Sequence, residues 1–167
     1  MNGPTLTVTS DFTKEFNQIV GRFKQDAVLV GIPAEDDARK KKDSPIGNAA
    51  LLAINNFGSP AQNIPARPVM QNGIHNAQDA ITEQFKGAAI QALSKGVEAL
   101  NTYYERVGII ASNSVKKAIN DQDFSDGPAD ATLKAREARG FKGTKSLIVT
   151  GQMRNAITYV VKNVWAR

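Results

Sequence analysis

Residues 76–119, NAQDAITEQFKGAAIQALSKGVEALNTYYERVGIIASNSVKKAI, contain no proline, and Ile81, Phe85, Ala88, Ala89, Ala92, Leu93, Val97 and Leu100 recur at helical spacing. As one helix the stretch would be roughly 65 Å long at about 1.5 Å per residue, whereas a compact chain of this size has a radius of gyration of about 15 Å. It therefore breaks or projects. Gly108, just after the aromatic and β-branched cluster of Tyr103, Tyr104 and Val107, is the expected break, with Gly96 the other candidate, and the second piece ends near Asn120. A helix this long carries more apolar face, through Phe85, Leu93 and Leu100, than one small core covers. Self-association is the economical way to cover it.

Outward from that stretch the elements are shorter. Phe12, Phe16, Ile19, Val20 and Phe23 form one apolar stripe of a helix capped by Ser10 and Asp11, and residues 27–33 (AVLVGIP) form a buried strand that Pro33 ends. Ser44 and Pro45 start a second helix, Gly58 stops it, and Ile46, Ala49, Ala50, Ala53 and Phe57 keep its spacing. Residues 64–70 (IPARPVM) read as an extended arm stiffened by Pro65 and Pro68, from which Arg67 projects a charged fork. Toward the C-terminus, Asp130 caps a short helix that runs through Glu137 and is closed by Gly140, Thr150 and Gly151 make a capped turn, and a strand runs from about Ile157. Residues 5–9 (LTVTS) alternate as a further strand, and the charged stretches 34–43 and 121–145 read as flexible.

With 167 residues the chain is bounded at a single domain, 1–167, and 41% hydrophobic against 22% charged residues suffice for a core. There is no cysteine and one histidine, so disulfide scaffolds and thiolate metal sites are excluded and few strong ligands remain. No Walker A, GxGxxG, GxSxG or HExxH pattern is present, so neither a catalytic residue, a metal nor a cofactor is expected. His75, opening the long helix, reads as solvated or capping, and the pairs Asp36/Asp37 and Asp121/Asp123 as loop charge. The segment MNGPTLTVTSDF lacks the pattern of an export signal, and no stretch is apolar enough to span a bilayer, so a soluble protein without a membrane partner is expected.

The net charge is +5 and unevenly placed: residues 121–131 hold four aspartates and no base, residues 132–145 five bases and one acid. Lys134, Arg136, Arg139, Lys142 and Lys145 suit DNA phosphates, the acidic residues of a neighbouring subunit, or simple solvation as a loop, and the acidic run directly upstream is a complement within the chain itself. Only Phe141 lies among them, so no platform for stacking single-stranded bases is indicated.

The order of VGIPAEDDARKKKDSPIGNAALLAINNFGSPAQNIPARPVM, a long helix, ERVGIIASNSVKKAI, TLKA and SLIVTGQMRNAITYVV resembles the head-to-tail joining, or neck, proteins of long-tailed bacteriophages, the virion morphogenesis and tail-completion proteins. The resemblance covers residues 27–165. It rests on the aromatic-glycine step at Phe57 and Gly58, the proline-arginine-proline segment at Pro65, Arg67 and Pro68, and the turn at Thr150, Gly151, Met153 and Arg154. The chain departs from the family pattern at Asn56, Val69 and Val149, where an acid, a phenylalanine and an aspartate are common.

The expected fold is α+β, a small, mainly antiparallel sheet of residues 4–9, 27–33 and 157–165 packed against helices, with one long, partly projecting helix. The resemblance implies a non-enzymatic structural subunit of a tailed-phage virion. It would form a ring in the neck between portal and tail around the DNA channel, with copies of itself and other neck, portal-adaptor and tail proteins as partners. Phe57, Gly58, Pro65, Arg67, Pro68, Thr150, Gly151 and Arg154 are then the candidate interface residues. The alternative is a small basic nucleic-acid-binding protein.

Overall fold

The computed structural model describes residues 12–35, 37, 46–122, 124, 127–148 and 150–164. Helix α1 (Thr13–Gln25) runs directly into strand β1 (Asp26–Gly31). Helices α2 (Asn48–Phe57), α3 (Val69–Asn76), α4 (Gln78–Lys95), α5 (Ala99–Asp121), α6 (Asp130–Glu137) and α7 (Gln152–Ala156) follow, and strand β2 (Thr158–Asn163) pairs antiparallel with β1. The fold is α+β with one helix of 23 residues, α5, at its centre. The expected strand at 4–9 and most of the charged stretch 34–43 lie outside the described residues, as do Ser10, Asp11, Ser44 and Pro45; the two helices expected to start there begin later, α1 with Phe12 and α2 with Gly47 in the N-cap position, so Ile46 precedes α2.

The register Asp26↔Asn163 to Gly31↔Thr158 sorts the side chains of the sheet. Val28, Val30, Tyr159 and Val161 share one face, and Ala27, Leu29, Thr158 and Val160 share the other. The first face packs on α5. Val28 and Val161 meet a cluster of Ile19, Ala88, Ala92, Leu100 and Tyr104. Val30 meets a second cluster of Leu52, Val69, Val115, Ile119, Met153 and Ile157. α5 supplies Leu100 and Tyr104 to the one and Val115 and Ile119 to the other, so it is the helix both halves are built on. Each large aliphatic side chain taken fully out of water here is worth about 1.5–3 kcal/mol.

The break in the long helical pattern falls at Gly96, not at Gly108. Gly96 has φ +88° and ψ 171°, a conformation that side-chain-bearing residues rarely adopt, and nothing lies within 4 Å of where its Cβ would be. Gly108 is buried in mid-helix, and a Cβ there would lie 2.1 Å from Cδ2 and 2.3 Å from Cγ of Tyr159. Its missing side chain is what lets the Tyr159 ring lie against α5.

The extended reading of 64–70 is also corrected at its end. Val69 and Met70 form the first turn of α3, because the prolines constrain the chain only up to Pro68, which stands in the N-cap position. His75 consequently sits in the last turn of α3, exposed, and α4 begins after Ala77. α6 ends at Glu137 as expected, with Gly140 at φ +79° behind it, but Asp130 does not cap it: Ala129 holds the N-cap position without a side-chain hydrogen bond, and Asp130 stands in the first turn.

Candidate functional site

The segment Phe57–Pro68 is built around Gly58. With φ +76° and ψ 174°, Gly58 turns the chain out of α2 so tightly that a Cβ would lie 2.8 Å from the Ala66 nitrogen and 3.0 Å from the Ile64 oxygen. Ser59 and Ile64 exchange backbone hydrogen bonds of 2.8 and 3.0 Å, closing a short loop over Pro60–Gln62. The Arg67 amide donates to the Asn55 carbonyl at 2.8 Å, laying the arm along the end of α2. Phe57 and Pro65 are left exposed on this corner, and Pro68 is half-buried.

Arg67 does not project from the arm; it is 7% exposed. Its Nη2 donates to the Gly127 carbonyl at 3.2 Å, and its guanidinium sits 6.0 Å from the centre of the Phe124 ring. The fork that the sequence offers to a partner is spent inside the chain, fastening the segment after α5 to the arm before α3. A residue that the sequence marks only as a departure from the family pattern does comparable work. Asn56 is buried, and its Oδ1 accepts from the Met70 amide at 3.0 Å, satisfying an N-terminal donor of α3.

At the other candidate turn, the exposed Thr150 accepts at Oγ1 from the Gln152 amide at 3.3 Å, and Gly151 is buried where α7 starts. Arg154 is half-buried. Its Nη1 donates to Asn120 Oδ1 at 2.7 Å, and its Nε and Nη2 donate to Asn155 Oδ1 at 3.1 and 2.9 Å. Arg154 thus ties α7 to the end of α5. The two candidate groups meet through the core, where Leu52 of α2 and Met153 of α7 share one cluster.

The basic segment divides in two. Arg136 Nη1 donates to the carbonyls of Gly143 and Lys145 at 3.2 and 2.8 Å, and Lys145 Nζ donates to the Asn120 carbonyl at 2.7 Å, so both hold the loop after α6 in place. Lys134, Arg139 and Lys142 are exposed, and none of their side chains makes a hydrogen bond or ion pair among the described residues. The acids are engaged locally as well. The Asp37 carboxylate accepts from the amides of Asn48 and Ala49 at 2.8 and 3.1 Å, capping α2 from outside, and Asp121 pairs with Lys117. Asp36 and Asp123 lie outside the described residues. Among the described residues no group of three or more His, Asp or Glu side chains is placed to hold a metal ion, and no helix is long and apolar enough to cross a membrane.

Comparison with protein-family models, with curated proteins and with solved structures finds no match to this chain.

Large apolar side chains outside the core are the remaining feature. The α1 stripe expected to be buried is covered only over its second half: Ile19 is buried and Phe23 packs on Phe85 and Tyr104, whereas Phe12 and Phe16 are exposed. On α4, Ala88 and Ala92 face inward, and Ile90 and Leu93 are turned to solvent, so Leu93 is not part of the buried stripe. The outer face of the sheet forms a groove of about 460 Å³ lined by Leu29, Ile32, Pro33, Thr158, Val160 and Lys162. Tyr159, at the sheet edge of α5, donates to Glu105 Oε2 at 2.5 Å, and this hydrogen bond raises the Tyr159 pKa above its ordinary value.

Proposed function

We propose that the chain is a non-enzymatic structural subunit of a tailed-phage virion, forming a ring with its own copies in the neck that joins head to tail. The observation that carries this reading is uncovered apolar surface on rigid elements. Phe12, just before α1, and Phe16 on it are 68% and 54% exposed, Ile90 and Leu93 are 65% and 62% exposed on α4, and Phe57 is 72% exposed at the end of α2. Side chains of this size each gain about 1.5–3 kcal/mol when a partner buries them. Their placement on several separate elements suits head-to-tail contacts, in which different patches of successive copies meet and the ring closes. The resemblance of residues 27–165 to neck proteins supplies the location and the neighbours.

Two measurements test it. Imaging of intact particles is expected to place closed rings of this chain at the head–tail junction, and its absence from the particles would end the proposal. The double variant Ile90→Gln, Leu93→Gln is expected to keep the circular dichroism of the parent and to lose incorporation into particles. Normal incorporation would exclude the α4 face as the contact.

A further inference from the structure

We propose that α6 and the loop that follows it form an arm that binds the phosphate backbone of duplex DNA through Lys134, Arg139 and Lys142. The first argument is where the charge lies. The arm, residues 130–145, holds five bases and two acids, Asp130 and Glu137, and so carries three of the five surplus positive charges of the chain, with Asp121, Asp123 and Asp126 preceding it in sequence. Such a concentration is the electrostatic footprint of a polyanion-binding surface.

The second argument is the division of labour among the five bases. Arg136 and Lys145 are turned onto backbone carbonyls of the loop and of α5, folding residues 140–145 back beside the helix. The Phe141 amide adds a bond of 2.9 Å to the Arg136 carbonyl. The side chains of the three remaining cations stand on this frame, in exposed residues, without a hydrogen bond or ion pair among the described residues. An arm held in one shape by two of its own cations loses little freedom when the other three are engaged.

The third argument selects the partner. α6 has no buried residue, and of its side chains only Leu133 and Arg136 are even half-buried. A protein interface needs an apolar centre, for which this arm offers only Phe141, 39% exposed, whereas phosphate contacts need only charge brought close to a dense row of anions. Duplex DNA presents about one charge per 1.7 Å of axis, so a short arm meets several phosphates at once. The single aromatic, Phe141, gives no stacking surface for an unpaired strand. The inference stands on charge and exposure and does not rest on the ring proposal.

The test is fluorescence anisotropy of the purified full chain with a labelled duplex, repeated with a second duplex of unrelated sequence. Three phosphate contacts give a slope of about −2.7 for log affinity against log salt, a loss of roughly 40-fold between 50 and 200 mM salt. The two duplexes are expected to bind alike. Replacing Lys134, Arg139 and Lys142 by Gln is expected to abolish measurable binding at 50 mM salt, with circular dichroism unchanged. Replacing three exposed lysines elsewhere, Lys14, Lys95 and Lys162, by Gln is expected to leave the slope in place. Equal losses in the two variants would mean that only net charge matters, and would overturn the proposal. So would the absence of binding at 50 mM salt, or tighter binding to a labelled peptide of residues 121–131, the acidic stretch of this same chain, than to DNA. A ring that assembles but does not bind DNA would sink this inference alone.

Discussion

Alanine in place of Gly73 would put a methyl group into the seam between α3 and α5. Its carbon falls 2.5 Å from Val115 Cα and 2.8 Å from both the Val115 nitrogen and Cγ2. Carbon atoms are best separated by about 3.5–4.0 Å, so α3 has to retreat by about 1 Å. Main-chain atoms in mid-helix cannot swing aside as the tip of a side chain can. The retreat loosens contacts among Val69, Val115 and Ile119, all fully buried, and a gap of about 0.5–1 Å forfeits a quarter to a half of each contact's dispersion energy. Overpacking a dense core costs about 1–3 kcal/mol, and an immovable obstacle belongs at the upper end. The better helix propensity of alanine returns about 1 kcal/mol, leaving a net loss of about 2 kcal/mol. Because a domain of this size loses about 2–4 °C of melting temperature per kcal/mol, the expected drop is about 4–8 °C. Gly21→Ala in α1 is the matched control, since nothing lies within 4 Å of its added carbon and only the propensity gain of about 1 kcal/mol remains. Urea unfolding followed by circular dichroism measures both. If Gly73→Ala is as stable as the parent, or moves with Gly21→Ala, the close approach of α3 to α5 is refuted.

Tyr104→Phe is expected to raise the unfolding free energy by about 1 kcal/mol, because the buried Tyr104 hydroxyl has no hydrogen-bond partner among the described residues; a fall of similar size in urea titrations would reveal a partner. Alkaline pH is expected to destabilise the chain through Tyr159. The hydrogen bond to Glu105 favours the neutral phenol in the folded state, so its contribution is complete below the free tyrosine value of about 10 and fades as pH rises through the raised folded value. Urea midpoints between pH 8 and 11 should fall more steeply for the parent than for Tyr159→Phe, and parallel curves would contradict this. Asn56→Ala removes the acceptor of the Met70 amide at the start of α3 and is expected to cost about 1–2 kcal/mol in the same assay, with no change if the cap is idle.

Elements governed by local chemistry were legible in the sequence. α6 ends where Glu137 and Gly140 place it, α2 stops at Gly58, and the strand pair follows its β-branched runs, although β1, read as a buried strand, has no fully buried residue and exposes Leu29 on the outer face of the sheet. What sequence leaves undecided is the work of a residue whose neighbours come from far along the chain. Gly96 and Gly108 are the same letter in the same helical pattern. One is a free turn and the other a seat for the Tyr159 ring, and only packing separates them. Arg67, between prolines, reads as exposed, yet Phe124 and Gly127 fold over it from the far side of α5. Periodicity put Phe12 and Phe16 on one stripe with Phe23, but it carries no information on how far the neighbouring helix extends to cover them. Among the candidate interface residues, the same blindness to long-range contacts made structural fasteners, Arg67 and Arg154, look like the exposed Phe57.

The ladder between residues 26–31 and 158–163 also governs the order of events during synthesis. Helices α3, α4 and α5 are complete and can dock while the chain is still emerging from the ribosome, but Val28 and Val30 wait for strand partners made well over a hundred residues later. Through that interval the hydrogen-bonding edge of β1 that β2 will take has no partner, at the stage when an unpaired strand is most readily captured by another nascent chain. Slowing elongation just upstream of β2 would lengthen the exposure, and its cost would appear as inclusion bodies, with the mature protein itself no less stable.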